Sequence, residues 1–521
     1  MLIQLRIHEI YFFTEMKNLL IIFTLLFFCI TRAQDITVSG TVFVDANQNG
    51  VMEASEKKLK NVMVSNGRDL VKTDKKGRYT LQAEKGASLF PVLPAGYAYS
   101  NEDQWWFLAD PDKTLNKNIQ GVNFGLVSSP SKKNFKALII GDIQVEDEAE
   151  LGYADRSVLA ELRNRKDYDF SIFLGDLVND EPRMFPMVKD LVSDLEKPNW
   201  FVYGNHDRNS AREHRYQHLD YNSSFGPSTY AFYRGKVLFV VMNTIEPVGK
   251  YGYDGNYSSS DLEFLKNLLE RTGNENLLVV SQHIPLGWMK NKQALLDLLQ
   301  DQKEVLLLSG HSHTVFQTFR KTGVGHIHEL TAGAVSGHWW TGEKDWQGIP
   351  LALMQCGTPR GYFEIDFTHK KGETNYQVRY KGVGLAADRQ LSIWFGEPGT
   401  EISRTLTKDD PKVLLNVFAG SEKTVVKLRV NQGDWQLMTR KRSIDPFIYR
   451  IKELQDEKLY PDQVSRRSPY LDRPSSHLWA GKVPTDLEEG LNELEVWAKD
   501  EHGLDHRESV WFWFDGGTEH H

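Results

Sequence analysis

Short apolar runs, each dropping onto a polar residue, recur through the middle of the chain: KALIIGD, FSIFLGD, WFVYGNHD, NLLVVSQH and EVLLLSGHSH. Runs of this length bounded by turn signals predict buried strands, and the helical patterns between them predict an α/β layer over 133–382. One such pattern is DLEFLKNLLE, where Ser260-Asp-Leu-Glu263 predicts a capping box and makes the preceding EPVGKYGYDGNY a loop. On either side the period changes. Residues 34–127 alternate as ITVSGTVFVD and VKTDKKGRYTLQA, predicting a small β-domain that ends in the polar linker VSSPSKKN. Residues 383–521 return to strand patterns (VLLNVFAG, TVVKLRV, GDWQLMTR, NELEVWAKD, SVWFWF), as in a β-sandwich, with SSHLWAGKVPTDLEEG read as a loop. The order is β, then α/β, then β.

Composition narrows this picture. With 521 residues, 40% hydrophobic and 25% charged, the chain is ordinary globular protein. A net charge of −8 without a basic block argues against a nucleic-acid polymer as partner. MKNLLIIFTLLFFCITRAQ, from Met16, has a lysine, an apolar run too short to span a bilayer, and Ala33 at a cleavage-type position. Residues 1–33 therefore read as a signal peptide, with Met16 the better start, and the mature chain as exported, periplasmic or secreted, without a transmembrane segment. Cys29 leaves with the leader, so Cys356 has no intrachain partner. In DANQNGVMEASE, Asp45, Asn47, Asn49, Val51 and Glu56 fall at ligand positions of an EF-hand-type calcium loop, with Gly50 at the turn. The flanks are strands, so a calcium loop on a hairpin and a plain polar turn both stand. Either role is structural.

The apolar runs of the α/β region end on Asp142, Asp176, Asn205-His206-Asp207, His283, and His311 with His313. In an open α/β sheet, loops leaving the carboxyl ends of strands converge on one crevice. So many oxygen and nitrogen donors in one place repel or desolvate each other unless cations join them. Asp142-x-Gln144, Gly175-Asp176-Leu-Val-Asn179-Asp180, Gly204-Asn205-His206-Asp207, His283 and Gly310-His311-Ser-His313 together resemble the signature of calcineurin-like metallophosphoesterases, in that family's order and spacing. The flanking domains resemble those of an exported bacterial subgroup with an N-terminal β-domain and a C-terminal β-sandwich.

The resemblance implies a two-sheet core flanked by helices and a dinuclear site. Asp176 would bridge two ions; Asp142, Gln144 and His313 would complete one site, and Asn205, His283 and His311 the other. The ligand mixture suits Zn, Fe or Mn. Two such ions clamp a phosphoryl oxygen and activate water for in-line attack. His206 would serve the leaving oxygen, with Asp207 orienting its ring. The departure is Gln144, where most members have histidine; its neutral carbonyl is a poorer donor, which bears on metal identity and occupancy. Asn179 and Asp180 read as loop or supporting residues.

The implied activity is hydrolysis of a phosphate ester, of a small molecule, glycan or lipid, with a mild preference for diesters because a proton donor matters most for a poor leaving group. A phosphomonoesterase or nucleotidase is the alternative within the class. A binding protein silenced by Gln144 is the alternative outside it, opposed by the retention of His206 and the other ligands. In GAVSGHWWTGEKDWQGIP, Trp339 and Trp340 could stack on a substrate or pack between domains, and Arg360 could meet a phosphate.

Overall fold

The computed structural model describes residues 36–273, 277–396, 404–457 and 473–517, so the predicted leader lies outside the described residues. The central unit is built from two sheets. One runs in the order Asn199–Phe201, Phe170–Phe173, Phe135–Ile140, Gly361–Lys370, Glu373–Gly382, parallel over the first three strands and antiparallel over the last two. The other runs Tyr230–Arg234, Val237–Met242, Leu278–Gln282, Glu304–Ser309, His326–Ala332, Val315–Lys321, its four inner strands parallel and its edges closed by antiparallel hairpins. Val237–Met242 and Phe170–Phe173 are buried at every position, as strands covered on both faces must be. Phe135 and Phe170 from the first sheet meet Phe239 from the second at 6.2 and 5.4 Å between ring centroids, which fixes the sheets face to face.

Two local readings change. The helix Ser259–Thr272 is capped by Ser258, whose hydroxyl accepts from Asp261 N and donates to Asp261 Oδ2. The capping box thus starts two residues before Ser260, because Asp261, buried against Thr229, supplies the reciprocal carboxylate. The Tyr/Gly-rich stretch before it is a two-stranded hairpin, Ile245–Val248 with Gly252–Gly255.

The N-terminal domain holds two small sheets, built on Ile36–Val44 and on Met63–Ser65. It shares one continuous apolar core with the central unit. Trp105 stacks on Tyr99 at 4.8 Å and meets Trp200 and Tyr230 of the central unit at 5.9 and 5.2 Å. In the loop after Val44, Asp45 accepts from Asn49 N and Gly50 N, Asn49 Oδ1 from Val51 N, and Glu56 from Ala46 N and Glu53 N. Asn47 and Asn49 also donate to Glu53. The side-chain oxygens of Asp45, Asn47, Asn49 and Glu56 thus accept from the loop's own backbone donors, which hold its turn closed.

The C-terminal domain is a sandwich of a four-stranded and a five-stranded sheet with its own core. Ser475–Lys482, read above as a loop, is an inner strand paired on both sides, with Lys412–Val417 and Thr439–Ser443. Its burial does not alternate, so no period-2 pattern marks it in the sequence. This domain meets the central unit through a seam that is largely hydrogen-bonded, with Phe418 alone of its buried side chains entering the central core, 6.3 Å from Tyr380. Asn416 donates to Cys356 O at 2.9 Å and to Asp445 Oδ2 at 2.8 Å, and His477 Nδ1 donates to Asn416 Oδ1 at 2.8 Å. Gln317 donates to Ala419 O, and Val378 N to His502 O at 2.7 Å.

Burial pulls His477 down to about 4 and His328, on the other side of the seam, down to about 2. Both rings are neutral in the folded state, so the unfolded chain binds more protons as pH falls below 6.5. Their stabilisation is complete above pH 6.5 and is lost toward pH 4. The expected outcome is a melting temperature that drops between pH 7 and pH 5, and drops less in His477→Gln. Equal slopes for the two proteins in scanning calorimetry would remove the seam as the cause.

Candidate metal and catalytic site

Five loops at the carboxyl ends of strands from both sheets bring the predicted residues together. Asp142 follows Phe135–Ile140, Asp176 follows Phe170–Phe173, and Asn205 with His206 follows Asn199–Phe201. His283 follows Leu278–Gln282, and His311 with His313 follows Glu304–Ser309. The side-chain donors of Asp176, His283 and His311 all lie within 4.8 Å of one another. His283 Nε2 sits 3.2 Å from Asp176 Oδ2, 3.1 Å from Asn205 Oδ1 and 3.2 Å from His311 Nδ1. Alongside, His313 Nε2 sits 3.3 Å from Asp142 Oδ2. Gln144 lies wholly buried in the same loop cluster, its backbone N donating to Asp176 O at 2.8 Å.

The close approach of these loops dictates local sequence. Gly175 has φ +93°, and a Cβ there would stand 2.7 Å from His283 Nδ1. At Gly204 a Cβ would stand 2.1 Å from Asp176 N. Gln144, Asp176, His311 and His313 themselves adopt left-handed backbone, with φ of 46°, 49°, 67° and 51°. Such conformations cost about 1–3 kcal/mol each and persist only where surroundings over-determine them.

The supporting bonds choose which atom each residue offers. His283 Nδ1 donates to Leu174 O at 2.7 Å and His313 Nδ1 to Gly337 O at 2.6 Å, leaving Nε2 of each as the lone-pair nitrogen. Gln144 Nε2 donates to Asn179 Oδ1 at 3.3 Å, and Asn179 is held by Glu146 at 2.9 Å. That turns Gln144 Oε1 inward, where it is buried and has no hydrogen-bond partner. A buried amide oxygen left in this state is costly. The donor set therefore fits cations, and Gln144 belongs to it.

Electrostatics agree. Burial works against a charged His283, yet Asp176 overcomes it and holds the ring up to about 9. His311 is pulled the other way, down to about 4, by burial and by His283. One histidine is thus drawn toward carrying a proton that its neighbour cannot share, because the pocket has an excess of negative and lone-pair atoms.

The structure corrects the pairing around His206. Its ring Nδ1 donates to Asp180 Oδ2 at 2.8 Å, and its backbone N to Asp176 Oδ1 at 2.8 Å. Asp207, expected to orient that ring, is instead buried and accepts from Leu177 N at 2.7 Å, Val178 N at 3.1 Å and Gly204 N at 2.9 Å. It ties the Asp176 loop to the Asn205 loop. Burial, then Asp176, pushes its carboxyl upward. Trp340 is also packed, 4% exposed with its indole N–H on Ile143 O at 2.9 Å. Arg360 lies over the Trp340 ring at 5.1 Å and donates to Ser157. Trp340 is closed to a substrate, whereas Arg360 is half-buried over it. Trp339 stands beside the cluster, its ring 4.5 Å from that of His313.

Asn179 and Asp180, read from the sequence as loop or supporting residues, are the partners of Gln144 and of His206. Sequence reasoning missed Trp288 and Tyr253, whose rings lie 5.5 and 6.0 Å from that of His311. An exposed tryptophan five residues past His283 was the available signal.

These contacts set an expectation. Replacing Asn179 with Leu should leave the fold intact and weaken one of two bound metals by about 10–100-fold, the usual cost of losing an orienting partner. Chelator competition on the purified chain measures it; unchanged affinity for both metals would remove Asn179 from that role. Gly204→Ala should abolish high-affinity metal binding outright.

Family models place these loops in context. The model described as calcineurin-like phosphoesterase matches residues 135–315, its N-terminal companion 46–126 and its C-terminal companion 329–506. No curated protein matches. Among solved structures, a purple acid phosphatase from yellow lupin (Lupinus luteus) seeds aligns at 12% identity and TM-score 0.34, over 62% of this chain and 67% of that one. Vps29 of Chaetomium thermophilum aligns at 12% identity and TM-score 0.21, over 47% of this chain and 97% of that one. The chain belongs to the calcineurin-like phosphoesterases, metal-dependent phosphoester hydrolases, and carries that family's N-terminal and C-terminal companion domains.

Proposed function

We propose that this protein is an exported phosphodiesterase. Asp176 would serve two transition-metal ions, with Asp142, Gln144 and His313 holding one and Asn205, His283 and His311 the other. Ions so held polarise a phosphoryl group and lower the pKa of water. The observation that carries the diester reading is the position of His206. Its Nδ1 is committed to Asp180 and its backbone to Asp176, so a proton from this ring leaves from Nε2. The ring is partly open to solvent, with 29% of its side chain exposed, so a leaving group has access to it. A fixed donor contributes most when the departing alkoxide is a poor leaving group, as in a diester.

Asp180 holds the ring, and Arg208 holds the backbone beneath it, donating to Asn205 O at 2.7 Å. Asp207 keeps the two loops in register. Export rests on the leader pattern of residues 16–33. Among the described residues no helix is long and apolar enough to cross a membrane.

The test is metal content together with turnover of bis(p-nitrophenyl) phosphate and p-nitrophenyl phosphate. Two metals per chain and faster diester turnover are expected. His206→Ala should lower diester kcat by about 100- to 10,000-fold, the usual worth of general acid catalysis. Asp180→Asn should lose less, about 10-fold, because the ring stays but its orientation loosens. Faster monoester turnover would move the reading to a phosphatase. Turnover by Gln144→His alone, with wild type silent in Mn, Zn or Fe, would make the native chain a binding protein.

A further inference from the structure

Beside His311 the surface carries an aromatic feature that the metal site does not account for. Trp288 ends the 3₁₀ turn Leu286–Trp288 and is 52% exposed, although its ring centroid lies only 5.5 Å from that of His311. The turn is rigidly held. Leu286 is fully buried and its N–H donates to Glu329 at 2.6 Å, while Trp288 N donates to Pro285 O at 2.9 Å. A large indole displayed from an anchored turn leaves apolar area in water that a ligand could cover.

Tyr253 faces His311 from a second element, the hairpin strand Gly252–Gly255, at 6.0 Å. Arg208 lies 5.3 Å from the Tyr253 ring centre and donates to Asn205 O, Gly252 O and Tyr251 O at 2.7, 2.8 and 2.9 Å. Through Arg208, the Tyr253 side of the wall is joined to the loop that presents His206. Two of the cations near the wall are engaged, Arg208 with those carbonyls and Lys290 with Asp254 at 2.6 Å, while Arg320 stands against the turn, its guanidinium 3.7 Å from a Cβ built on Gly287. What this wall offers a ligand is ring surface.

Resting on the phosphodiesterase reading, we infer that Trp288 and Tyr253 form a leaving-group subsite that selects esters whose departing alcohol carries a ring with a face to stack, as an aryl group, a nucleoside base or a pyranose does. Trp288 is a specificity-determining residue there. It stacks on the ring, and the phosphoryl group remains with the metal site.

Two diesters differing only in the leaving group test this: methyl p-nitrophenyl phosphate and methyl trifluoroethyl phosphate. Comparing wild type with Trp288→Ala cancels the intrinsic reactivity of each ester. The variant should lose about 10-fold or more in kcat/KM on the aryl ester, within the usual worth of one stacking contact, and change less than about twofold on the trifluoroethyl ester. Trp288→Phe should restore most of the aryl activity, and metal content should match wild type in both variants. Equal losses on both esters, or none on either, would overturn the subsite. A binding arm keeps the inference testable without turnover: wild type should bind phenylphosphonate more tightly than methylphosphonate, and Trp288→Ala should lose that preference. A wild-type protein inert on both diesters yet showing this preference would sink the phosphodiesterase reading while keeping the subsite. Absence of the preference would sink the subsite alone. Methyl diesters of a nucleoside and of glucose then identify the ring by their own loss in Trp288→Ala, and a change of less than about twofold on both would count against it.

Discussion

Everything around the active centre follows from one unfavourable arrangement: a set of lone pairs and carboxylates buried together with too little positive charge. His283 Nε2 faces an aspartate oxygen, an amide oxygen and a second imidazole nitrogen, all at 3.1–3.2 Å. Gln144 Oε1 has no partner at all. Folding such a cluster without cations costs desolvation energy, against which the attraction between Asp176 and His283 is set. Cations reverse the sign, and part of the folding free energy then comes from binding them. The left-handed backbone at Gln144, Asp176, His311 and His313 belongs to the same balance, since strain at a site is sustained only by what the site binds and by the structure around it.

How much of this could be read beforehand divides along a physical line. Strand ends were legible because a fully buried strand is a continuous apolar run, and the residue that stops it names itself. Asp142, Asp176, Asn205, His283, His311 and His313 all emerged that way, and the structure brings them to one place. Side-chain direction was not legible. Asp207 lies next to His206 in sequence, and adjacency made it the natural partner; the sharp turn at Gly204 instead sends it back under Leu177 and Val178, and leaves Asp180 to face the imidazole. Trp339 and Trp340 were inseparable as letters, yet one turns inward to Ile143 and the other stands beside His313. Strand Ser475–Lys482 was missed for a different reason: it is defined by its two neighbours, and pairing partners far apart in sequence leave little local trace.

The Gln144 departure becomes intelligible in the same terms. A histidine at this position would present a ring nitrogen fixed by its tautomer. A glutamine can present either end of its amide, so something must choose. Asn179 chooses by accepting from Nε2, and Glu146 holds Asn179. The substitution is therefore not an isolated loss of an imidazole. It is accompanied by a chain of hydrogen bonds that selects the carbonyl oxygen, which a site falling into disuse has no physical need to keep.

The two flanking domains attach by different physics, and the difference decides what each can do for the site. The N-terminal domain fuses its core with the central unit through Trp105 and Trp200, an attachment that stabilises without pointing at anything. The C-terminal companion begins in sequence at residue 329, inside the second sheet, so its segment also supplies strands Gly361–Lys370 and Glu373–Gly382 of the first. Between them runs the loop 333–358, whose Gly337 carbonyl orients His313. Its first end is fastened to the centre, Ser336 N donating to Asp142 O at 3.1 Å. Its other end is fastened to the sandwich, with Cys356 O on Asn416 and Gly357 seated so tightly on Asp445 that a Cβ would stand 2.2 Å from the carboxyl carbon. A carbonyl that fixes a histidine tautomer is useful only if its loop cannot drift. In this molecule the β-sandwich is one of the two walls that hold it, which makes the C-terminal domain part of the active-site scaffold although it contributes none of the atoms proposed to meet the metal.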